Sequence, residues 1–195
     1  MKKILLFSAL SAAIAFGGCK KDTPAEGDVI SVSTLYKAVV FEYSATWCGP
    51  CGQYGYPAMH DLMAEYKDKV TGVFMHPSDD IVNNEPAGQE DIISFFQFSG
   101  TPSSAVNCGP DTYPTSLEPK VQQAIDANPT AKAGIGISKS ISGSTITVKT
   151  KSVFFDDVAG SYNLAVYVIE NNIMEQQNGQ SAATVEHDYI RPCYC

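Results

Sequence analysis

Residues 41–51 read Phe41-Glu42-Tyr43-Ser44-Ala45-Thr46-Trp47-Cys48-Gly49-Pro50-Cys51, and what flanks this run fixes how the rest of the chain is read. Upstream, Ala38 to Tyr43 is almost continuously apolar and rich in β-branched and aromatic residues, the pattern of a strand buried on both faces. Downstream, Ala58, Met59, Leu62, Met63 and Tyr66 recur at helical spacing, with Asp61, Glu65, Lys67 and Asp68 between them. That spacing predicts an amphipathic helix running to about Lys69, with Pro57 inside it and expected to kink its first turns. A buried strand therefore delivers a Cys-x-x-Cys to the start of a helix. A cysteine in that place faces unpaired backbone N–H groups and the positive end of the helix dipole, which stabilise its thiolate. Cys48 is thus the expected nucleophile. Cys51 falls in the first turn, where its sulfur can reach Cys48 and resolve a mixed disulfide. Gly49 and Pro50 fix the short bridge, and Pro50 suits an early helical position because its missing N–H would have had no partner there.

Working outward, Val70 to Met75 reads as a second short strand, and a right-handed β-α-β crossover makes it parallel to the first. A polar loop over 76–89 follows, then a helix candidate from Glu90 to Phe98 closed by Gly100. Thr101-Pro102 leads into a third strand at Ser104-Ala105-Val106, and Leu117, Val121, Ala124 and Ile125 mark a last helix ending before Pro129. Beyond Pro129 the period changes from helical to two. Ile135, Ile137 and Ile141 alternate with small or polar residues, Ser142-Gly143 turns the chain, and Ile146, Val148 and Val153 continue the alternation; after a break, Tyr162, Leu164, Val166 and Val168 repeat it. Three antiparallel strands are predicted there. A β-sandwich takes about seven, so the region is expected to be an incomplete module, or one completed against the first domain.

The run Trp47-Cys48-Gly49-Pro50-Cys51 reproduces the active-site motif of the thioredoxin family, and residues 34–129 resemble that family's fold. The resemblance implies that Glu42 is a buried acid beneath the cysteine pair that takes the Cys51 proton during resolution, its pKa raised by burial. Read without the resemblance, Glu42 is a strand glutamate at an open edge. The resemblance also implies that Pro102 is a cis-proline packed against the two sulfurs, and that the backbone of Thr101 pairs with an extended substrate segment. Two departures stand out. Pro57 lies one residue further from the cysteines than that family's helix proline, with Gly52 and Gly55 between, and the strand expected between Val106 and the last helix is missing or very short.

The amino terminus carries a different signal. Met1-Lys2-Lys3, an apolar stretch from Ile4 to Phe16 and Gly17-Gly18-Cys19 are laid out as a secretory leader over 1–18, too short for a stable bilayer-crossing helix, which takes about 20 apolar residues. The small residues before Cys19 resemble a lipobox, implying lipid on Cys19, attachment to a membrane without spanning it, and, with Lys20 next, the outer membrane; the alternative is an ordinary cleaved leader and a chance cysteine. Residues 19–33 are polar and aperiodic, a flexible tether. The formal charge of −8 becomes −10 on loss of Lys2 and Lys3 with the leader, which argues against nucleic acid as a partner.

Six cysteines, at 19, 48, 51, 108, 193 and 195, leave an odd number once Cys19 is lipidated. Zinc needs a second pair beside Cys48 and Cys51. Cys193 and Cys195 form only a Cys-x-Cys, and His60, His76 and His187 lack ligand spacing, so no metal and no dissociable cofactor are expected. A purely structural Cys48–Cys51 disulfide, in an oxidising compartment, is the other alternative. The run Ser161-Tyr-Asn-Leu-Ala-Val-Tyr-Val-Ile-Glu-Asn-Asn-Ile-Met-Glu-Gln-Gln-Asn-Gly179 and the segment Glu186-His-Asp-Tyr-Ile-Arg191 are similar to the outer membrane protein 28 family of Gram-negative envelopes, in which the β domain continues further. The expectation is an α/β protein in which a thioredoxin-like domain (34–129) precedes a short, incomplete antiparallel β domain (130–195). It would exchange disulfides with protein thiols and disulfides and be recharged by an unidentified redox partner. The competing expectation is a non-enzymatic lipoprotein that uses the scaffold for binding or adhesion.

Overall fold

A computed structural model describes residues 29–76, 79, 89–181 and 184–191. The leader, Cys19, most of the tether, most of the 76–89 loop, Cys193 and Cys195 lie outside the described residues.

The central sheet has three strands in the order β2-β1-β3. In it β1 (Ala38–Tyr43) lies between β2 (Val70–Met75) and β3 (Ser103–Val106). The β1 and β2 strands are parallel, Ala38 opposite Val70 and Tyr43 opposite Met75, while β3 runs antiparallel, Tyr43 opposite Ser103. Among the described residues no further strand joins this sheet beyond β3, whose outer edge makes an isolated bridge between Ser104 and Thr112, as the sequence spacing anticipates.

Because β1 is central, its alternate residues enter two cores. Ala38 and Val40 pack with Val70 and Phe74 against α1 (Tyr56–Tyr66) and α3 (Leu117–Ala127), through Met59, Leu62, Leu117, Val121 and Ile125. Phe41, with Val39 and Tyr43, turns to the other face, where Val73, Met75, Ala105 and Phe96 of α2 (Gln89–Phe96) meet it. The two-sided burial expected of β1 follows from this layering. Helix α2 stops earlier than the sequence suggests: Gln97, at φ 54°, closes it, and not Gly100.

The expected kink at Pro57 takes a specific form. Residues Cys51–Gly55 are π-helical, and the Tyr56 N–H reaches back to the Cys51 carbonyl. A widened turn therefore lies between the cysteines and Pro57, which occupies the start of α1, where its missing N–H costs least.

After α3 the chain forms two separate two-stranded antiparallel sheets. The first pairs β4 (Ala133–Ser142) with β5 (Thr145–Phe154) in unbroken register. Residues 30–33 run along β4, tight against Gly134 and Gly136. The second pairs β6 (Val168–Glu175) with β7 (Val185–Arg191). Here the sequence reading needs correction: the strand expected over Tyr162–Val168 is irregular up to Tyr167, and strand pairing begins at Val168. The alternation of Tyr162, Leu164 and Val166 is real, but among the described residues no strand pairs with it, and all three side chains are exposed. The true strand was hidden by a bulge between Glu170 and Ile173, with Asn172 at φ 63°, which breaks the two-residue period. Among the described residues four strands therefore stand where three were expected. The β6–β7 hairpin also reaches the central sheet, with Ile169 packed into the Phe41 core and Tyr167 edge-on to Phe41 at 6.0 Å.

Candidate redox site

Parallel β1 ends at Tyr43, and residues 44–48 turn outward before the helical segment begins at Gly49. Cys48 and Cys51 are joined by a disulfide with S–S 2.02 Å and Cα–Cα 5.2 Å. Cys51 is fully buried and Cys48 nearly so, at 4% exposed, with Ala45 packed against both. The Cys51 backbone N–H donates to the Cys48 sulfur at 3.1 Å, and the Gly52 N–H donates to the Cys48 carbonyl at 3.3 Å. One backbone donor of the helix start is thus aimed at the Cys48 sulfur, the geometry that lowers a thiol pKa. Trp47 is 60% exposed beside it. Gly49 and Pro50 make the first turn, Pro50 in αR geometry.

Glu42 sits in the central strand and is fully buried, not at an open edge. It points to the α1 side, since it shares the face of Ala38 and Val40. Neither carboxylate oxygen finds a hydrogen-bond partner among the described residues, and burial raises its pKa from 4.5 to about 8. The Thr101–Pro102 peptide is cis. Pro102 and the Glu42 carboxylate meet at Gly55: a β-carbon there would strike Glu42 Oε1 and come within 3.2 Å of Pro102 Cβ. Gly55 therefore lets the helix lie directly on the acid and the proline, and the sequence residues Glu42, Cys48, Cys51 and Pro102 gather around one helix start.

Other groups at the site were not picked out from the sequence. The backbone N–H of Thr46 donates to Asp79 Oδ2 at 2.9 Å, and the same oxygen is 2.7 Å from His76 Nδ1. The His76 N–H in turn donates to the Gln89 side chain at 2.8 Å. His187 of β7 stands edge-on to His76, ring centres 5.3 Å apart. Burial, followed by the neighbouring His76, lowers the His187 pKa to about 4 against the opposing pull of Asp79 and a Glu175 backbone hydrogen bond. From the β6–β7 turn, Gln177 Nε2 donates to the carbonyls of Ala45, Thr46 and Cys48 at 3.1–3.3 Å. Asn178 donates through its backbone to Thr46 O at 2.8 Å and through its side chain to Trp47 O at 3.0 Å. Gln180 donates to Gly52 O. More than 125 residues separate these partners, so no local pattern could show the contact. Among the described residues no three His, Cys, Asp or Glu side chains converge as metal ligands, and Cys108 is a free, exposed thiol.

No protein-family model matches the chain. A stretch of 63 residues is 44% identical to thioredoxin X, chloroplastic, of Arabidopsis thaliana, covering 31% of this chain and 32% of that protein. Among solved structures, HBP35 of Porphyromonas gingivalis aligns with TM-score 0.55 at 21% identity, over 83% of this chain and 56% of that one. The oxidised mitochondrial thioredoxin 3 of Saccharomyces cerevisiae aligns over 46% of this chain and 81% of its own, at 25% identity and TM-score 0.31. The chain thus spans about a third of the curated relative and just over half of the HBP35 structure. Its fold is α/β and thioredoxin-like, with additional small antiparallel sheets, and it carries a disulfide-bonded pair, Cys48–Cys51.

Proposed function

We propose that the chain is a thiol-disulfide oxidoreductase acting on protein substrates, tethered to the cell envelope through lipid on Cys19. The observation that carries the redox reading is the Cys51 N–H aimed at the Cys48 sulfur. In the reducing direction the Cys48 thiolate attacks one sulfur of a substrate disulfide. The substrate S–S bond breaks, and the departing substrate sulfur takes up a proton. Cys51 then loses its proton to the Glu42 carboxylate and attacks Cys48, which releases the second substrate thiol and leaves the Cys48–Cys51 disulfide. Two electrons pass from the protein's dithiol to the substrate, and a separate redox partner must return them; the reverse sequence oxidises a substrate dithiol. With its pKa raised to about 8, Glu42 is mostly protonated at neutral pH and takes the Cys51 proton from its ionised fraction, so this step is expected to speed up as pH rises towards 8. The cis Thr101–Pro102 peptide supports the role the thioredoxin resemblance implies for it, shaping the groove for an extended substrate segment. The leader and the Gly17-Gly18-Cys19 run support the lipid anchor and an outer-membrane location, in line with the similarity of 161–191 to the outer membrane protein 28 family.

A Cys51→Ala variant tests the assignment, because it stops resolution. It is expected to hold substrate proteins on Cys48 as mixed disulfides released by reductant. Trapping no greater than in a Cys48→Ala, Cys51→Ala control would leave the fold as a scaffold for binding and refute the exchange reading.

A further inference from the structure

The β6–β7 turn is built into the redox loop. Gln177 is 2% exposed although its side chain is polar, and its amide is spent on three loop carbonyls. Asn178 and Gln180 add the carbonyls of Thr46, Trp47 and Gly52. The backbones interlock as well. A β-carbon on Gly52 would strike the Asn178 carbonyl, and one on Gly179, at φ 90°, would strike the Gly49 carbonyl. Glycine at both positions is what lets two main chains approach this closely. The loop acceptors all lie within residues 45–52, the segment that contains and directly flanks the ring closed by the Cys48–Cys51 bond.

We propose that Gln177 and Asn178 are positioning residues of the cysteine pair, and that docking of the turn and formation of the Cys48–Cys51 bond favour one another. The disulfide and the turn restrain the same loop, so each lowers the ordering cost the other must meet. Opening the bond transfers two electrons and two protons to the pair, as two molecules of a small thiol become one disulfide, and the turn is then the remaining restraint. Removing its donors frees the reduced loop more than the oxidised one, which the bond still holds. The pair becomes easier to reduce. Linkage requires the reciprocal effect by the same factor: reduction loosens the turn. Glu42 and Asp79, with His76 and His187 beyond, are the titratable groups packed about the loop, and the variants below leave all four in place. The inference rests on the exchange reading only in needing the bond to open and close.

The experiment equilibrates the full chain, Gln177→Met and Asn178→Ala with glutathione buffers of stepped ratio. Alkylation and peptide mass then report the Cys48–Cys51 pair separately from the other cysteines. Gln177→Met is expected to raise the equilibrium constant for reduction about tenfold, a potential about 30 mV less negative, and Asn178→Ala about threefold. In the parent, the Asn178 amide is expected to exchange hydrogen several-fold faster after reduction. Coincident redox curves in folded variants, or equal Asn178 exchange in both redox states, would overturn the proposal. If Gln177→Met does not fold, the exposed Asn178 side chain and the parent's exchange rates still decide. A parent that equilibrates with glutathione yet turns over no protein disulfide refutes the enzymatic reading and leaves this coupling standing.

Discussion

At the scale of single residues, Glu42 and His187 are both buried in the form that carries no charge, and they oppose one another in pH. Glu42 binds a proton up to about pH 8 in the fold but only to about 4.5 when unfolded. Its cost to stability is therefore absent below pH 4.5, grows as pH rises, and is complete above 8. Glu42→Gln is expected to flatten that slope and to stabilise the fold at pH 7 by about 3 kcal/mol, while slowing disulfide exchange; denaturant melts across pH 4–9 and a turnover assay measure both. His187 behaves in the other sense. Its folded pKa of about 4 lies below the usual 6.5, so the unfolded chain binds the extra proton and stability falls as pH drops from 6.5 to 4. Tyr56, His76 and Asp79 are the groups facing it. His187→Phe is expected to remove that acid-side loss, read as a Tm that no longer declines between pH 6.5 and 4.

At the scale of elements, the helix start depends on glycine where two segments touch. Gly55→Ala places a methyl group into the Glu42 carboxylate and Pro102, and is expected to destabilise the protein by about 1–3 kcal/mol in a urea titration. Gly179→Ala is strained both by its φ of 90° and by the Gly49 carbonyl. It is expected to release the turn, seen as faster hydrogen exchange at Asn178, with the central sheet unaffected. These contacts also mark what could be read from sequence. The apolar run before the cysteines, the helical spacing after them and the Thr101-Pro102 dipeptide sufficed to place β1, α1 and β3, because periodicity is a local signal. Gly52 and Gly55 carry no such signal, since a sequence does not say what a missing β-carbon makes room for. Strand β6 was misplaced because its bulge erases the alternation, and β7 escaped notice because His187 and its charged neighbours do not look like a buried face.

At the scale of the whole molecule, the sequence divides at Pro129 by texture, whereas the structure joins the two parts at the redox loop. The β4–β5 sheet leaves Ile135, Ile137, Ile141 and Ile146 substantially exposed, while the β6–β7 hairpin is committed to the central sheet through Ile169, Tyr167 and His187. A long-range contact made by amide side chains and backbone carries no periodic signature, which is why Gln177 and Asn178 could not be found beforehand. What the joined architecture provides is a sulfur at a helix start that accepts from one backbone donor of that helix, on a loop whose carbonyls are braced by a distant turn. The direct test of that claim is a pH titration of the reduced Cys48 thiol by thiolate absorbance, with Cys48→Ser as the blank. The account predicts a proton lost well below the value of about 8.5 for a free thiol; a midpoint at or above 8.5 would contradict it.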